Sequence, residues 1–398
     1  MGQGPRIGYM VPQFPGQTHA FFWREIRALE AMGAEVVLWS TRPPPPGLVS
    51  HDWSAEATAR TTYLMSRSPR DLLRALPALP WRDLAGAERG FLRDLALALP
   101  AAARLRQEAA RAGVGHVHVH SCGRAALVAA LAARLGGPSY SLTLHNPLSV
   151  YGPGQAFKWR GARFATVITR RLLNEVRIVL RKDLPARIFV QPMGVDLLRF
   201  RREGPYAPWP GEGPLALVCC ARLNPAKGHL DLFDAVAGLI AEGIDARLLC
   251  LGEDDAGGTG YRTVLEAAIR ERGLSGHVEL AGAVDERRVI GALQQAHLFV
   301  LASHAEPLGV AFMEAMACGV PVVGTAAGGV RELVTDGVDG VLVPPRDPRA
   351  LCRAIAALAR DPARAIRLSM AGRARVERDG DAARGAETLL RAIAGEAV

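Results

Sequence analysis

Two features of this chain predict an α/β protein built from two Rossmann-like parallel-sheet domains that face each other across a cleft. Short apolar runs alternate with amphipathic stretches, the pattern of parallel strands flanked by helices, and the pattern occurs twice. Between the two occurrences lies a proline- and glycine-rich connection. Length agrees, because 398 residues exceed one ordinary core and suit two of about 200 residues each.

In the first half the predicted strands are 7–11, 35–39, 116–120, 140–145, 165–168 and 187–190. A helix is predicted over 19–32, where Phe22, Ile26 and Leu29 fall at i, i+4 and i+7 on one face and Gly33 can close the last turn in left-handed geometry. In the second half the predicted strands are 215–220, 246–251, 278–280, 298–301, 320–323 and 340–343, with a helical pattern between each pair. Residues 201–214 carry Pro205, Pro208, Pro210 and Pro214 with Gly204, Gly211 and Gly213, which forbid a regular element and suit an exposed linker. The expected organisation is therefore a first domain 1–200, a linker 201–214 and a second domain 215–375. A C-terminal helix within 376–398 is expected to pack back on the first domain.

One stretch breaks the alternation. Residues 66–113 hold Arg67, Arg70, Arg74, Arg82, Arg89, Arg93, Arg104, Arg106 and Arg111 among Leu and Ala, and read as amphipathic helices broken at Pro77, Pro80 and Pro100. The plain reading is a helical insertion with a solvated basic face. The sharper one is a face that rests on anionic lipid, with Trp81, Phe91 and leucines on its apolar side.

The composition is that of a globular chain, 49% hydrophobic and 22% charged, and no run approaches the roughly 20 apolar residues of a membrane span. A strand-like segment begins at once after the N-terminus, so no secretory signal is read and residence in the cytoplasm is expected. The six cysteines form no CxxC pair and read as reduced core residues. A net charge of +9 suits nucleic acid, anionic lipid or a phosphorylated substrate, but no interleaved aromatic and basic motif favours nucleic acid. The cations are nearly all arginine; Lys158, Lys182 and Lys227 are the only lysines.

The strongest chemical signal is the stretch from Ser303 to Val323, which follows one predicted strand and leads into another. Its loop enters a helix expected to begin near Leu308 and to close at Gly319, and ligands of open parallel sheets bind at such carboxyl-end loops. Free N–H groups of Gly309 and Val310, with the positive end of the helix dipole, make a ready diphosphate site. Glu306 and Glu314 frame it. Each can accept from hydroxyl groups, as the sugar and ribose of a nucleotide sugar would offer, although Glu306 could instead cap the helix and Glu314 pair with an arginine. A second signal follows the strand 215–220: Arg222 offers a planar fork and Lys227 a compact charge at the same sheet edge, both suited to phosphate oxygens. His116, His118 and His120 alternate along one strand and share a face, a spacing that could suggest a metal site or a histidine-lined cleft edge.

These residues carry a resemblance. Arg222-x4-Lys227-Gly228, Glu306-x7-Glu314 and Gly319-Val320-Pro321-Val322-Val323 resemble the retaining GT-B glycosyltransferases of family GT4. Met193-Gly194-Val195-Asp196 with Phe200 resembles that family's crossing between domains, and Gly328-Gly329-Val330-Arg331-Glu332 its Gly-Gly-x-x-Glu helix start. Pro12, Phe14-Pro15, Thr18, Phe21, the HVHVH run 116–120 and Thr143-Leu144-His145 are similar to the exopolysaccharide or colanic-acid-type branch. Pro307 departs from the glycine that often follows the first glutamate, whereas Gly309 fits the Glu-x-x-Gly variant.

The resemblance implies a GT-B fold and a hexosyltransferase that moves a sugar, with retention, from a nucleotide-diphosphate donor to a glycan or lipid-linked acceptor in exopolysaccharide or envelope-glycan synthesis. It implies catalytic roles for Arg222 and Lys227 at the departing diphosphate, Glu306 at the donor sugar and His145 at that sugar from the acceptor-side domain. Gly16, Gly309, Val310 and Glu314 would bind the donor, Glu314 through the ribose, and His120 would serve the acceptor side. No metal or other cofactor and no nucleic acid is implied. Peripheral contact with an anionic membrane at its inner face is. The competing readings are a GT-B nucleotide-sugar epimerase, which would consume donor without acceptor, and a non-catalytic basic binding protein.

Overall fold

The computed structural model describes residues 4–16, 18–44, 51–66, 68–84, 88–254 and 260–396. They fall into two compact units: Met1–Val49 with Trp53–Met193 and Ala383–Val398, and Gly194–Ala382 with Ser50–Asp52.

The first unit is built on a parallel sheet of seven strands in the order β3-β2-β1-β4-β5-β6-β7. They are β1 Arg6–Gln13, β2 Glu35–Arg42, β3 Thr61–Tyr63, β4 His116–Val119, β5 Ser139–Leu144, β6 Ala165–Val167 and β7 Ile188–Val190. The sequence pattern misses β3, because Thr-Thr-Tyr is no apolar run; it forms by pairing to the edge of β2, Leu38 opposite Thr61. The helix Ala20–Ala31 buries Phe22, Ile26 and Leu29 as its periodicity requires, and with them Glu25, which that periodicity leaves unexplained. Gly33 closes it at φ +88.

The basic stretch forms helices Pro69–Ala75, Trp81–Leu84 and Arg89–Ala112, with a 3₁₀ turn at Leu76–Ala78. Arg67 lies outside the described residues. Pro100 does not break a helix as expected: the helix Arg89–Ala112 runs through it. Proline there removes one backbone hydrogen bond, a loss of about 3 kcal/mol. Leu95, Leu99, Leu105 and a run of alanines bury around it and offset that loss. Phe91 also differs from expectation, being buried at 3% exposure and so absent from any outward apolar face.

The second unit carries a six-stranded parallel sheet in the order β10-β9-β8-β11-β12-β13. The strands are β8 Leu215–Cys220, β9 Ala246–Leu251, β10 Val278–Gly282, β11 Leu298–Leu301, β12 Val322–Thr325 and β13 Val341–Val343. β12 starts two residues later than expected, since Pro321 has no N–H for the ladder and contributes only its carbonyl, to Phe299 N at 3.0 Å.

Residues 201–214 form no regular element and are mostly exposed, as expected, but a few side chains fasten them to the second unit. Trp209 is buried, the Arg202 guanidinium donates to the carbonyls of Cys318 (3.1 Å) and Leu293 (3.0 Å), and Tyr206 donates to His297 O at 2.7 Å. The segment belongs to the second unit, and the division falls between Met193 and Gly194. The helix Ala382–Ala394 passes its length from Ala383 onward to the first unit, where Arg187 donates to Ala392 O at 2.8 Å and Thr388 to Gln191 at 2.9 Å. All six cysteines are free thiols, five of them buried. Among the described residues no helix is long and apolar enough to cross a membrane.

Candidate functional site

In the second sheet the chain runs from β8 outward to β9 and β10, then crosses back to β11 on the other side of β8. The strand order therefore reverses between β8 and β11, and the loops leaving these two strands diverge to frame a crevice at their carboxyl ends. The loop after β8 passes the exposed Arg222, makes a 3₁₀ turn at Pro225–Lys227 and enters the helix His229–Ala241 through Gly228. The loop after β11 carries Ser303, Glu306 and Gly309.

The two loops are tied together. Lys227 Nζ lies 2.6 Å from Glu306 Oε2, with side-chain exposures of only 17% and 9%. Ser303 Oγ donates to the same carboxylate oxygen at 3.2 Å. His304 N donates to Ala226 O at 2.8 Å, and its ring Nε2 sits 2.7 Å from Asp231 Oδ2. Close approach also needs Gly228, at φ +67, where a Cβ would stand 2.0 Å from Ala302 O. A third loop, after β12, joins at Glu306, whose carbonyl accepts from Gly329 N at 2.8 Å while Gly328 packs against it at φ +58. Glu306 does not cap the helix that follows.

That helix, Val310–Ala317, starts at Gly309 with φ +101 and no side-chain cap on its first turn. Its leading N–H groups and dipole are thus left for an anion. Glu314 lies in its second turn, half-buried. The structure hence unites Lys227 and Glu306 directly, sets Gly309 and Val310 on the same loop, Glu314 one turn on, and Arg222 at the exit of β8. A cation beside an uncapped helix start favours a phosphate, and a fixed carboxylate favours hydroxyl donors. The roles of Ser303 and the His304–Asp231 pair went unread because their part is to hold these groups, and only their position across the fold reveals it; Gly328 was read only as part of the Gly-Gly-x-x-Glu start.

The first unit gathers the remaining candidates. His116, His118 and His120 do share one face of β4, but all three are buried and form no open edge. In register with them stand Ser139 and Ser141 of β5. The result is a ladder: His116 Nδ1 to Ser139 Oγ and Nε2 to Ser141 Oγ, both 2.8 Å; His118 Nδ1 to Ser141 Oγ and Nε2 to Thr143 Oγ1, both 2.7 Å. Thr143 continues to Thr166 of β6 at 2.6 Å. Such a polar stripe is unusual on a buried parallel sheet and persists because each hydroxyl and ring nitrogen finds a partner.

His120 and His145 meet at the carboxyl end of the same face, His120 Nδ1 lying 3.3 Å from His145 Nε2. His145 is half-buried against Phe21, Phe22 and the His120 ring. Beneath them, Tyr9 donates to Glu25 Oε2 at 2.7 Å and His120 Nε2 lies 2.9 Å from that oxygen, a short contact bent from the ideal hydrogen-bond line. Burial holds all four imidazoles neutral, lowering His116 to about 4 and His120 to about 3, His118 well down, and His145 with further help from the neighbouring His120. Burial likewise raises Glu25, and raises Tyr9 with added repulsion from Glu25. Gly16 ends the β1 loop in a turn, accepting from His19 N at 3.0 Å, where a Cβ would press within 2.6 Å of the His19 ring.

Residues 209–375 match the family described as glycosyl transferases group 1. Over 383 residues the chain is 27% identical to the putative colanic acid biosynthesis glycosyltransferase WcaL of Salmonella typhimurium, spanning 89% of this chain and 91% of that protein. It is 35% identical over 205 residues to the D-inositol 3-phosphate glycosyltransferase of Xylanimonas cellulosilytica, about half of each chain (49% and 48%). Among solved structures, HepE of Anabaena in complex with UDP matches with a TM-score of 0.76 at 18% identity, covering 98% of this chain and all of that one. Sucrose-phosphate synthase of Thermosynechococcus elongatus matches at 0.74 and 22%, covering 98% and 99%.

Proposed function

We propose that this chain, of GT-B fold and with a match to the group 1 glycosyl transferases in its second unit, is a glycosyltransferase that moves a hexosyl group, with retention and without a metal, from a nucleoside-diphosphate sugar to a glycan or lipid-linked acceptor in exopolysaccharide or other envelope-glycan synthesis. The observation that carries this reading is the meeting of Lys227, Glu306 and the uncapped start of helix Val310–Ala317 at the point where the strand order reverses. Lys227, Arg222 and the N–H groups of Gly309 and Val310 take the diphosphate, Glu306 the sugar hydroxyls and Glu314 the ribose. In the other unit, His145 serves the donor sugar, Gly16 the phosphates and His120 the acceptor side.

The bond from the anomeric carbon to the β-phosphate oxygen breaks as the acceptor oxygen bonds to the same face of the sugar. The acceptor's proton passes to the leaving phosphate oxygen. Charge grows on the diphosphate as the bond breaks, so fixed cations and N–H groups aimed at it lower the barrier. Retention, work in the cytoplasm and independence of metal rest on the family resemblance and the chemistry of this donor set.

A panel of nucleotide sugars tests the reading. One donor is expected to raise the melting temperature at sub-millimolar concentration and to lose its sugar only when an acceptor is added, in the presence of EDTA. Donor turnover to an epimer without acceptor, or no stabilisation by any donor, contradicts it.

We also propose that the basic insertion meets anionic lipid. Leu73 and Trp81 are 66% and 69% exposed, beside the exposed Arg70, Arg74 and Arg82. A solvated face has no use for such side chains, whereas an interface holds apolar groups and arginines together. Vesicles of phosphatidylglycerol are expected to sediment the wild type, and Leu73→Ser/Trp81→Ser is expected to reduce the bound fraction several-fold. Equal binding by both, or none by the wild type, refutes the membrane face.

A further inference from the structure

The hydroxyl–imidazole ladder and the Glu25–His120–His145 contacts run side by side in the first unit, and their proton directions can be derived link by link. Ser139 Oγ donates to Gly115 O at 3.2 Å, which commits its single proton. His116 must then donate from Nδ1 to Ser139, and its bare Nε2 must accept from Ser141. Ser141, its proton committed, accepts from His118 Nδ1–H, and His118 Nε2 accepts from Thr143. Both rings are neutral, so each carries one proton, on Nδ1.

The second chain starts from a carboxylate and runs the other way. Glu25 Oε2 already accepts from Tyr9 and faces His120 Nε2 at 2.9 Å. With Glu25 ionised, its carboxylate has only lone pairs to offer, so the 2.9 Å contact, though bent from the hydrogen-bond line, puts the His120 proton on Nε2 and leaves its Nδ1 bare. His145 Nε2, 3.3 Å from that Nδ1, is therefore the donor, and His145 Nδ1 is left as a lone pair. Phe21 and Phe22 flank the His145 ring and keep its orientation.

We propose that Glu25 stays ionised and is a positioning residue for transfer: through His120 it holds His145 in the Nε2–H form, so that His145 Nδ1 accepts a hydrogen bond from a hydroxyl of the donor sugar. The assignment of His145 to the sugar rests on the reading above; the proton direction rests on the charge of Glu25. The groups facing this chain are Tyr9 of β1, His118 of β4, His19 ahead of the helix Ala20–Ala31, and Glu25 on that helix. A protonated Glu25 would donate to His120 and reverse both rings.

The test is the ¹⁵N imidazole spectrum of the full chain, labelled at histidine, at pH 7.5 without ligand. Expected are Nδ1–H for His116 and His118 but Nε2–H for His120 and His145, assigned by single His→Asn variants. Glu25→Gln, whose amide can donate as well as accept, is expected to give His145 a mixture of tautomers and to lower kcat/KM about tenfold, the order seen when an outer partner of a functional imidazole is lost. Glu25→Asp is expected to restore the Nε2–H form and most of the rate. An Nδ1–H His145 in the wild type, or an unchanged His145 spectrum in Glu25→Gln, overturns the proposal. Should Glu25→Gln not fold, the wild-type spectrum alone decides. Failure of the wild type to use any nucleotide sugar would sink the functional reading while leaving the spectral result to stand on its own.

Discussion

Replacing Lys227 by Ala is expected to lower kcat/KM for the donor by about 10²- to 10³-fold, the loss typical when one preorganised donor to a developing anion is removed. The structure adds a second consequence that the residue's chemistry alone does not reveal. Lys227 is ion-paired to Glu306 in a site where neither side chain is more than 17% exposed. Its removal leaves a poorly solvated carboxylate without its cation, and breaking such a pair destabilises by about 3 kcal/mol. The unit should therefore melt about 6–12 °C lower, at about 2–4 °C per kcal/mol. Lys227→Ala/Glu306→Gln removes the orphaned charge together with its partner. It is expected to recover most of the melting temperature and none of the activity. Donor kinetics and melting curves of the two variants, side by side, separate the roles. Near-normal transfer by either would refute the assignment of Lys227 to the diphosphate.

Gly328→Ala is expected to be, with Gly228→Ala, among the most damaging single-methyl substitutions in the site. The residue sits at φ +58, where a side chain costs about 1–2 kcal/mol of backbone strain. Its Cβ would also stand 2.1 Å from the carbonyl oxygen of Glu306. That neighbour is backbone and is itself held by Gly329 N, so it has no rotamer by which to yield. A total loss above about 4 kcal/mol is expected, with donor stabilisation abolished as Glu306 is pushed aside. Gly337 provides the control: its φ of +74 imposes similar strain, but nothing lies within 4 Å of its Cβ. Gly337→Ala should lose only the strain and keep activity. Chemical denaturation of the two variants gives the difference, and a gap under about 1 kcal/mol would show that contact with Glu306 contributes nothing.

Much of this site is readable in the chain. Lys227 and Glu306 announce themselves by following predicted strands, and Gly309 by standing where a helix must begin without a cap. What could not be read is that Lys227 and Glu306, 79 residues apart, share a 2.6 Å contact. That follows only once β8 and β11 are neighbours. The histidines tell the same story. Their alternation gives the common face, but the partners Ser139, Ser141 and Thr143 come from a separate strand whose register no local pattern specifies. Glu25 left a faint trace as a carboxylate between Phe22 and Ile26 on an otherwise apolar helix face, and only burial against Tyr9 and His120 gives it a purpose.

Elsewhere local rules were overridden. Pro100 signals a break, yet burial on both sides of it outweighs one lost hydrogen bond. The prolines and glycines of 201–214 correctly exclude a helix or strand, but they say nothing about Trp209 and Arg202, which dock the segment onto the second unit. Sequence by itself determined the two alternating sheets, the positions of the strand-exit loops and the chemical types that line them. Those depend on side-chain periodicity and backbone sterics, which act over a few residues. Tertiary structure alone decided which loops meet, which charges pair and which way protons point, because Coulombic and hydrogen-bond energies fall away within a few ångströms and distant residues come that close only after the strand order is set.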